Sequence, residues 1–132
     1  MAMGKPESAE FGVVFDLTTI AQDMRREEAY AREGHTARTL VREPDLRVVL
    51  IAMQAGSRIP EHTVAGTASI QTLVGLLRLQ LPRLARQREG RIVDLPVGQI
   101  LVLEPGNEHS IEAVGDSALL VTFGWKGKAP PA

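Results

Sequence analysis

Gly56-Ser57-Arg58-Ile59-Pro60-Glu61-His62-Thr63-Val64 and Gly98-Gln99-Ile100-Leu101-Val102-Leu103-Glu104-Pro105-Gly106-Asn107-Glu108-His109 decide how this chain folds. Each opens on a glycine and leads to a histidine, and the second sets an apolar run against a Pro-Gly turn, the punctuation that ends and reverses a strand. Working outward, short apolar and β-branched segments recur over residues 36–43, 47–54, 68–74, 76–81, 91–95, 100–103, 109–114 and 118–123. Turn residues separate them at Glu43-Pro44-Asp45, Ala55-Gly56-Ser57, Ala65-Gly66, Glu89-Gly90, Pro96-Val97-Gly98, Pro105-Gly106-Asn107 and Gly115-Asp116. Many short strands at this spacing predict a sandwich or closed barrel. In Leu77-Arg78-Leu79-Gln80-Leu81 the alternation turns the leucines inward and the polar residues outward.

The texture is different upstream. Residues 1–10 are polar and are read as a disordered N-terminus, residues 11–34 as an N-terminal strand and helix, 35–124 as the barrel and 125–132 as a flexible tail. Phe11-Gly-Val-Val-Phe15 is apolar enough to add an outer strand. Thr19-Ile20-Ala21-Gln22 matches a capping box and Gly34 offers a stop, so one amphipathic helix is expected between them. Its face carries Ile20, Ala21, Met24 and Ala31, while Glu28 and Arg32 pair at i,i+4 on another.

Composition limits the function classes. The chain has 132 residues, enough for one domain, with 44% apolar and 23% charged residues, ordinary for a globular protein. Fifteen basic residues nearly cancel sixteen acidic ones, which argues against nucleic-acid and membrane partners. There is no cysteine, so thiolate ligands, disulfides and cysteine nucleophiles are excluded. No apolar run approaches a bilayer span, and Met1–Ser8 lacks a signal-peptide core, so a cytoplasmic location is expected.

The two quoted stretches resemble the paired motifs of the cupin superfamily, G-x5-H-x-H-x3-E-x6-G and G-x5-P-x-G-x2-H-x3-N. Gly56, His62 and Gly75 match the first, and Gly98, Gly106 and His109 the second. Val64 stands in place of the second histidine, Ala68 of the glutamate, Glu104 of the proline and Ala113 of the asparagine. The resemblance spans roughly residues 35–124, with 22 residues (76–97) between the motifs. It implies an all-β double-stranded β-helix, a jelly-roll barrel, preceded here by one short helix. It also implies a site inside the barrel built on His62 and His109, and a homodimer, to which Phe11–Phe15 and the 118–123 strand are candidate contributors.

The expected pocket consists of His62, His109, Val64, Ala68, Ile70, Leu77, Leu79, Leu101, Leu103 and Ile111. Such a wall suits a small, largely apolar molecule held by one or two hydrogen bonds to the histidines. Valine and alanine at the replaced ligand positions also remove buried polar groups that would be costly without a metal. The alternative implied by the resemblance is a metal-dependent dioxygenase, isomerase or lyase. His62 and His109 would then ligate Fe, Mn, Ni, Zn or Cu, with further donors from water, a bound anion, Glu61, Gln71 or Glu108. Parity turns Gln71 away from Ala68 and Ile70, and two imidazoles fall short of the three or four ligands such centres use. A metal-free enzyme would use the histidines as general acid and base.

Other conspicuous residues have plainer readings. His35 follows the helix stop and suits a capping or solvent role. Arg83, Arg86, Arg88 and Arg91 lack interleaved aromatics for base stacking and are read as a solvated hairpin turn. Glu104 and Glu108 are read as loop-surface charges, and Phe123 and Trp125 as cover for a barrel edge or dimer surface.

Overall fold

Leu46-Arg-Val-Val-Leu-Ile-Ala-Met53 is apolar at nearly every position, as a strand covered on both faces must be. In the computed structural model, which describes residues 12–82 and 90–125, this strand carries two separate cores. The chain forms helices α1 (Leu17–Met24) and α2 (Glu28–Glu33), then strands β1 (His35–Arg42), β2 (Leu46–Met53), β3 (Arg58–His62), β4 (Thr67–Val74), β5 (Leu76–Leu81), β6 (Arg91–Pro96), β7 (Ile100–Leu103), β8 (His109–Ala113) and β9 (Ser117–Gly124). They make a five-stranded sheet in the order β1-β2-β9-β4-β7 and a four-stranded sheet in the order β3-β8-β5-β6, every pairing antiparallel. This is the all-β architecture expected from the strand spacing and the jelly roll that the resemblance implied.

Between the sheets lies the main core: Met53, Leu119 and Val121 from β2 and β9, Ile70 and Leu103 from β4 and β7, and Leu77, Leu79, Leu95 and Ile111 from the facing sheet. Thr72, the polar exception on β4, donates its hydroxyl to the Leu95 carbonyl at 2.8 Å, so burial leaves it paired. The second core covers the outer face of β2 and its neighbours. There Leu40, Leu50, Ala52 and Ala118 meet Ile20, Ala21, Met24 and Tyr30 of the helices.

The N-terminal segment corrects the reading of its sequence in three ways. Residues 12–16 form no strand; Phe15 packs instead against the helix-covered core. The N-cap of α1 is Asp16, not Thr19: its carboxylate accepts from the Thr19 amide at 3.2 Å and the Thr19 hydroxyl at 3.0 Å. The expected single helix is two, broken over Arg25–Glu27. The break frees Glu27 to reach β1, where its carboxylate accepts from Thr36 Oγ1 at 2.8 Å and from the Arg38 guanidinium at 2.6 Å. Gly34, at φ 86°, ends α2 in the left-handed conformation that glycine tolerates. The proposed disorder of residues 1–10, the flexible tail beyond Trp125 and Arg83, Arg86 and Arg88 lie outside the described residues; Arg91 is exposed at the start of β6.

The 118–123 segment becomes β9, which is hydrogen-bonded to β2 on one side and β4 on the other. A strand with both edges used has none left for edge pairing; among the described residues the outermost strands of the two sheets are β1, β7, β3 and β6.

Candidate functional site

β3 escaped the list of expected strands because Arg58, Pro60 and Glu61 leave Ile59 as its only apolar residue before His62. Its pairing with β8 is irregular and positions the site. Ile59 lies opposite Ile111 and His62 opposite His109, so three steps on β3 match two on β8. In a regular strand His62 and Ile59, three apart, would face opposite sides. The extra residue is a β-bulge that returns His62 to the face Ile59 occupies. β3 ends there, so the parity that would have placed Val64 beside His62 does not extend to it. Val64 is half-buried in the following loop, where its carbonyl accepts from the Gly106 amide at 2.9 Å.

His62 and His109 are therefore direct cross-strand partners, with ring centroids 4.1 Å apart and planes inclined by 59°. Each ring is fixed by the backbone two residues earlier. His62 Nδ1 lies 2.9 Å from the Pro60 carbonyl oxygen and His109 Nδ1 lies 3.2 Å from that of Asn107. A carbonyl only accepts, so Nδ1 carries the proton in both and Nε2 keeps the lone pair in the neutral ring. His109 is only 2% exposed. That burial, aided by the neighbouring His62 and opposed by the Asn107 carbonyl, holds its pKa below the usual histidine value. Near neutral pH His109 is thus an uncharged imidazole that can accept a hydrogen bond through Nε2.

The two rings border a cavity of about 80 Å³, whose remaining wall is Val49, Ile51, Ile59, Ile70, Ile111, Val121 and Phe123. Of the residues expected to form a pocket, His62, His109, Ile70 and Ile111 meet here. Leu77, Leu79 and Leu103 share the main core with Ile70 and Ile111 but do not line this cavity, Leu101 packs against that core, and Ala68 is buried on β4 without lining the cavity. Four of the seven apolar wall residues, Val49, Ile51, Val121 and Phe123, come from β2 and β9, far in sequence from either motif. Alternation in Val121-Thr122-Phe123 is a signal that could have found part of it; β2, apolar on both faces, offers none. Phe123 faces this cavity and not only a barrel edge.

At the rim, Phe123 stacks on Trp125, centroids 6.2 Å apart, and the Arg47 guanidinium carbon lies 5.3 Å from the centroid of the Trp125 ring. Trp125 in turn lies against Gly66, where a Cβ would be 2.9 Å from two atoms of the indole. His35 is remote from this region, at the start of β1 opposite Met53, and Glu104 and Glu108 are exposed.

The donor set does not fit a resident metal centre. Among the described residues no three His, Cys, Asp or Glu side chains converge. The site offers two imidazoles and otherwise hydrocarbon, with none of Glu61, Gln71 or Glu108 in the cavity wall. Two neutral nitrogens leave a divalent ion dependent on outside donors for most of its shell.

No family model matches the sequence, and no curated protein is similar to it. Solved structures are. A conserved protein of unknown function from Streptococcus pyogenes is 25% identical over 100% of both chains, with a TM-score of 0.68. A cupin superfamily protein from Desulfitobacterium hafniense is 15% identical, covering 70% of this chain and 78% of its own, with a TM-score of 0.62. Bacillus subtilis oxalate decarboxylase, a protein with Mn(II) centres, is 18% identical with a TM-score of 0.64. That match covers 76% of this chain but 27% of the decarboxylase. The fold of this chain is the cupin fold, one shared by metal-centred enzymes and by proteins of unknown function.

Proposed function

We propose that the protein binds a small, largely apolar molecule in the cavity between the sheets, with His62 and His109 supplying the hydrogen bonds and no metal required. The observation carrying this reading is the pair itself. Two imidazoles 4.1 Å apart, each with Nδ1 tied to a carbonyl, are the polar groups of an otherwise hydrocarbon wall. A ligand donating a hydroxyl or amide proton to Nε2 would be oriented by them while apolar contact supplied affinity. The wall residues are aliphatic or aromatic and already packed, so the cavity needs little rearrangement to receive an apolar group.

The alternative, a metal-dependent enzyme using His62 and His109 as ligands, is favoured by the fixed Nε2 lone pairs, an arrangement metal-bound histidines also show. One experiment separates the two: metal per chain in untagged protein purified without chelator, followed by thermal melts with small apolar ligands. The binding reading expects metal far below one per chain, and stabilisation by ligand that His62→Ala and His109→Ala both weaken. Near-stoichiometric metal removed by His62→Ala overturns it.

A further inference from the structure

Arg42 and Arg47 flank the turn into β2, with Glu43 and Asp45 between them, on the side of the sheet that Phe123 shares. Arg42 on β1 lies directly opposite Arg47 on β2, and Arg47 directly opposite Phe123 on β9. Opposed residues of an antiparallel pair share a face, and Phe123 lines the cavity, so all three side chains leave the sheet on the barrel side. Arg47 is two residues from Val49 of the cavity wall, about 7 Å along the strand.

Two arginines directly opposed across a ladder are mutually destabilising. Among the described residues, ion pairs hold Arg32, Arg38 and Arg78 and leave Arg25, Arg26, Arg58 and Arg91 without one. Neither Arg42 nor Arg47 belongs to one. Arg47 Nε is buried and has no hydrogen-bond partner, and the same is true of Trp125 Nε1 beside it. Buried N–H groups are rarely left unpaired, because each costs the desolvation of a donor. Two unpaired donors and two unneutralised guanidinium groups on one rim call for an acceptor carrying negative charge.

We infer that the rim receives a carboxylate, and that the ligand is a short aliphatic carboxylic acid whose tail fills the cavity. This rests on the binding reading above and names its ligand class. The carboxylate lies between Arg42 and Arg47 and accepts from Arg47 Nε–H, a charge-assisted hydrogen bond. The space limits the tail. A cavity of about 150 Å³ admits benzene, so the 80 Å³ here takes roughly half that volume. That is room for a branched end of about three carbons, and the roughly 7 Å from rim to wall is bridged by the rest of the chain. A ligand hydroxyl on that tail would meet the Nε2 acceptors of the histidine pair.

Trp125 is the only tryptophan in the chain, so its fluorescence reports the rim directly. The test is titration with 4-methylpentanoate, with its uncharged isostere 4-methylpentanamide and with inorganic phosphate, followed by Trp125 emission and by thermal melting. The carboxylate is expected to bind at least tenfold more tightly than the amide. Arg47→Gln abolishes that preference, and Arg42→Gln, which also relieves the like-charge contact and so keeps the fold at least as stable, reduces it severalfold. Equal binding of carboxylate and amide, both lost in His109→Ala, overturns the rim and leaves the cavity reading standing. Phosphate binding as tightly as 4-methylpentanoate also overturns it, because the tail then contributes nothing. If none of the three binds, both readings fall.

Discussion

Lowering the pH should weaken this fold through one side chain. His109 is buried at 2% exposure, and that burial, with His62 alongside, depresses its pKa below the ordinary value of about 6.5. Between the folded pKa and about 6.5 the unfolded chain therefore binds more protons than the native one, and stability falls as pH falls. The contribution is complete above about 6.5, is lost progressively down to the folded value, and does not decrease further below it. For a single proton the steepest loss is about 1.4 kcal/mol per pH unit. In a chain of this size that corresponds to a drop in melting temperature of roughly 3–6 °C per unit. The assay is urea denaturation of the parent and of His109→Gln at pH 7.5, 6.5 and 5.5. The comparison is the difference between the two slopes, because carboxylates and the other histidines titrate in both proteins. The parent should lose more stability than the variant over the lower step, by up to about 1.4 kcal/mol. Equal slopes refute the argument, as does a ring-proton NMR titration placing the His109 midpoint at or above about 6.5.

Two structural predictions accompany it. Leu79→Ala empties a fully buried site in the main core, and no neighbour on the paired strands β6 and β8 is free to fill it. A loss of about 2–5 kcal/mol is expected in denaturant titration, against under about 0.5 kcal/mol for Val102→Ala on the exposed face of β7. Gly66→Ala places a Cβ against the Gly124 carbonyl oxygen and 2.9 Å from the Trp125 indole. The strand end or the ring must move, so the Trp125 emission maximum should shift with the melting temperature; an unchanged spectrum would show that the ring does not rest there.

Much of this molecule is legible in its sequence where one face of a strand is buried and the other wet. β5 and β7 have the bounds that alternation and turn residues gave them, 76–81 and 100–103, and most other strands differ by one or two residues at an end. Legibility fails where tertiary contacts supply what local pattern lacks. β3 has one apolar residue before its histidine and owes its place to β8 and to a bulge that no residue type announces. The helix break at Arg25–Glu27 goes with contacts from β1, where the Thr36 hydroxyl and the Arg38 guanidinium donate to the Glu27 carboxylate. The site divides in the same way. Spacing within the motifs was enough to single out His62 and His109. Most of the wall they face comes from β2 and β9, which long-range pairing alone brings beside them.

The position of Val64 bears on why two histidines persist without their partners. Since β3 stops at His62 and Val64 turns into the loop that bonds Gly106, a histidine in place of Val64 would need the strand to run further before it could face His109. Replacing Val64 alone would therefore not rebuild a metal centre, and Ala68, on β4 and outside the cavity wall, would still need a carboxylate long enough to reach it. The pair is stable as it stands because each Nδ1–H has a carbonyl and because an uncharged imidazole is far cheaper to bury than a cation. Proton and ligand are then coupled. Under the proposed reading a carboxylate near His109 would favour its charged form and the two arginines would disfavour it, so the arginines would let an anion approach while His109 remains a hydrogen-bond acceptor.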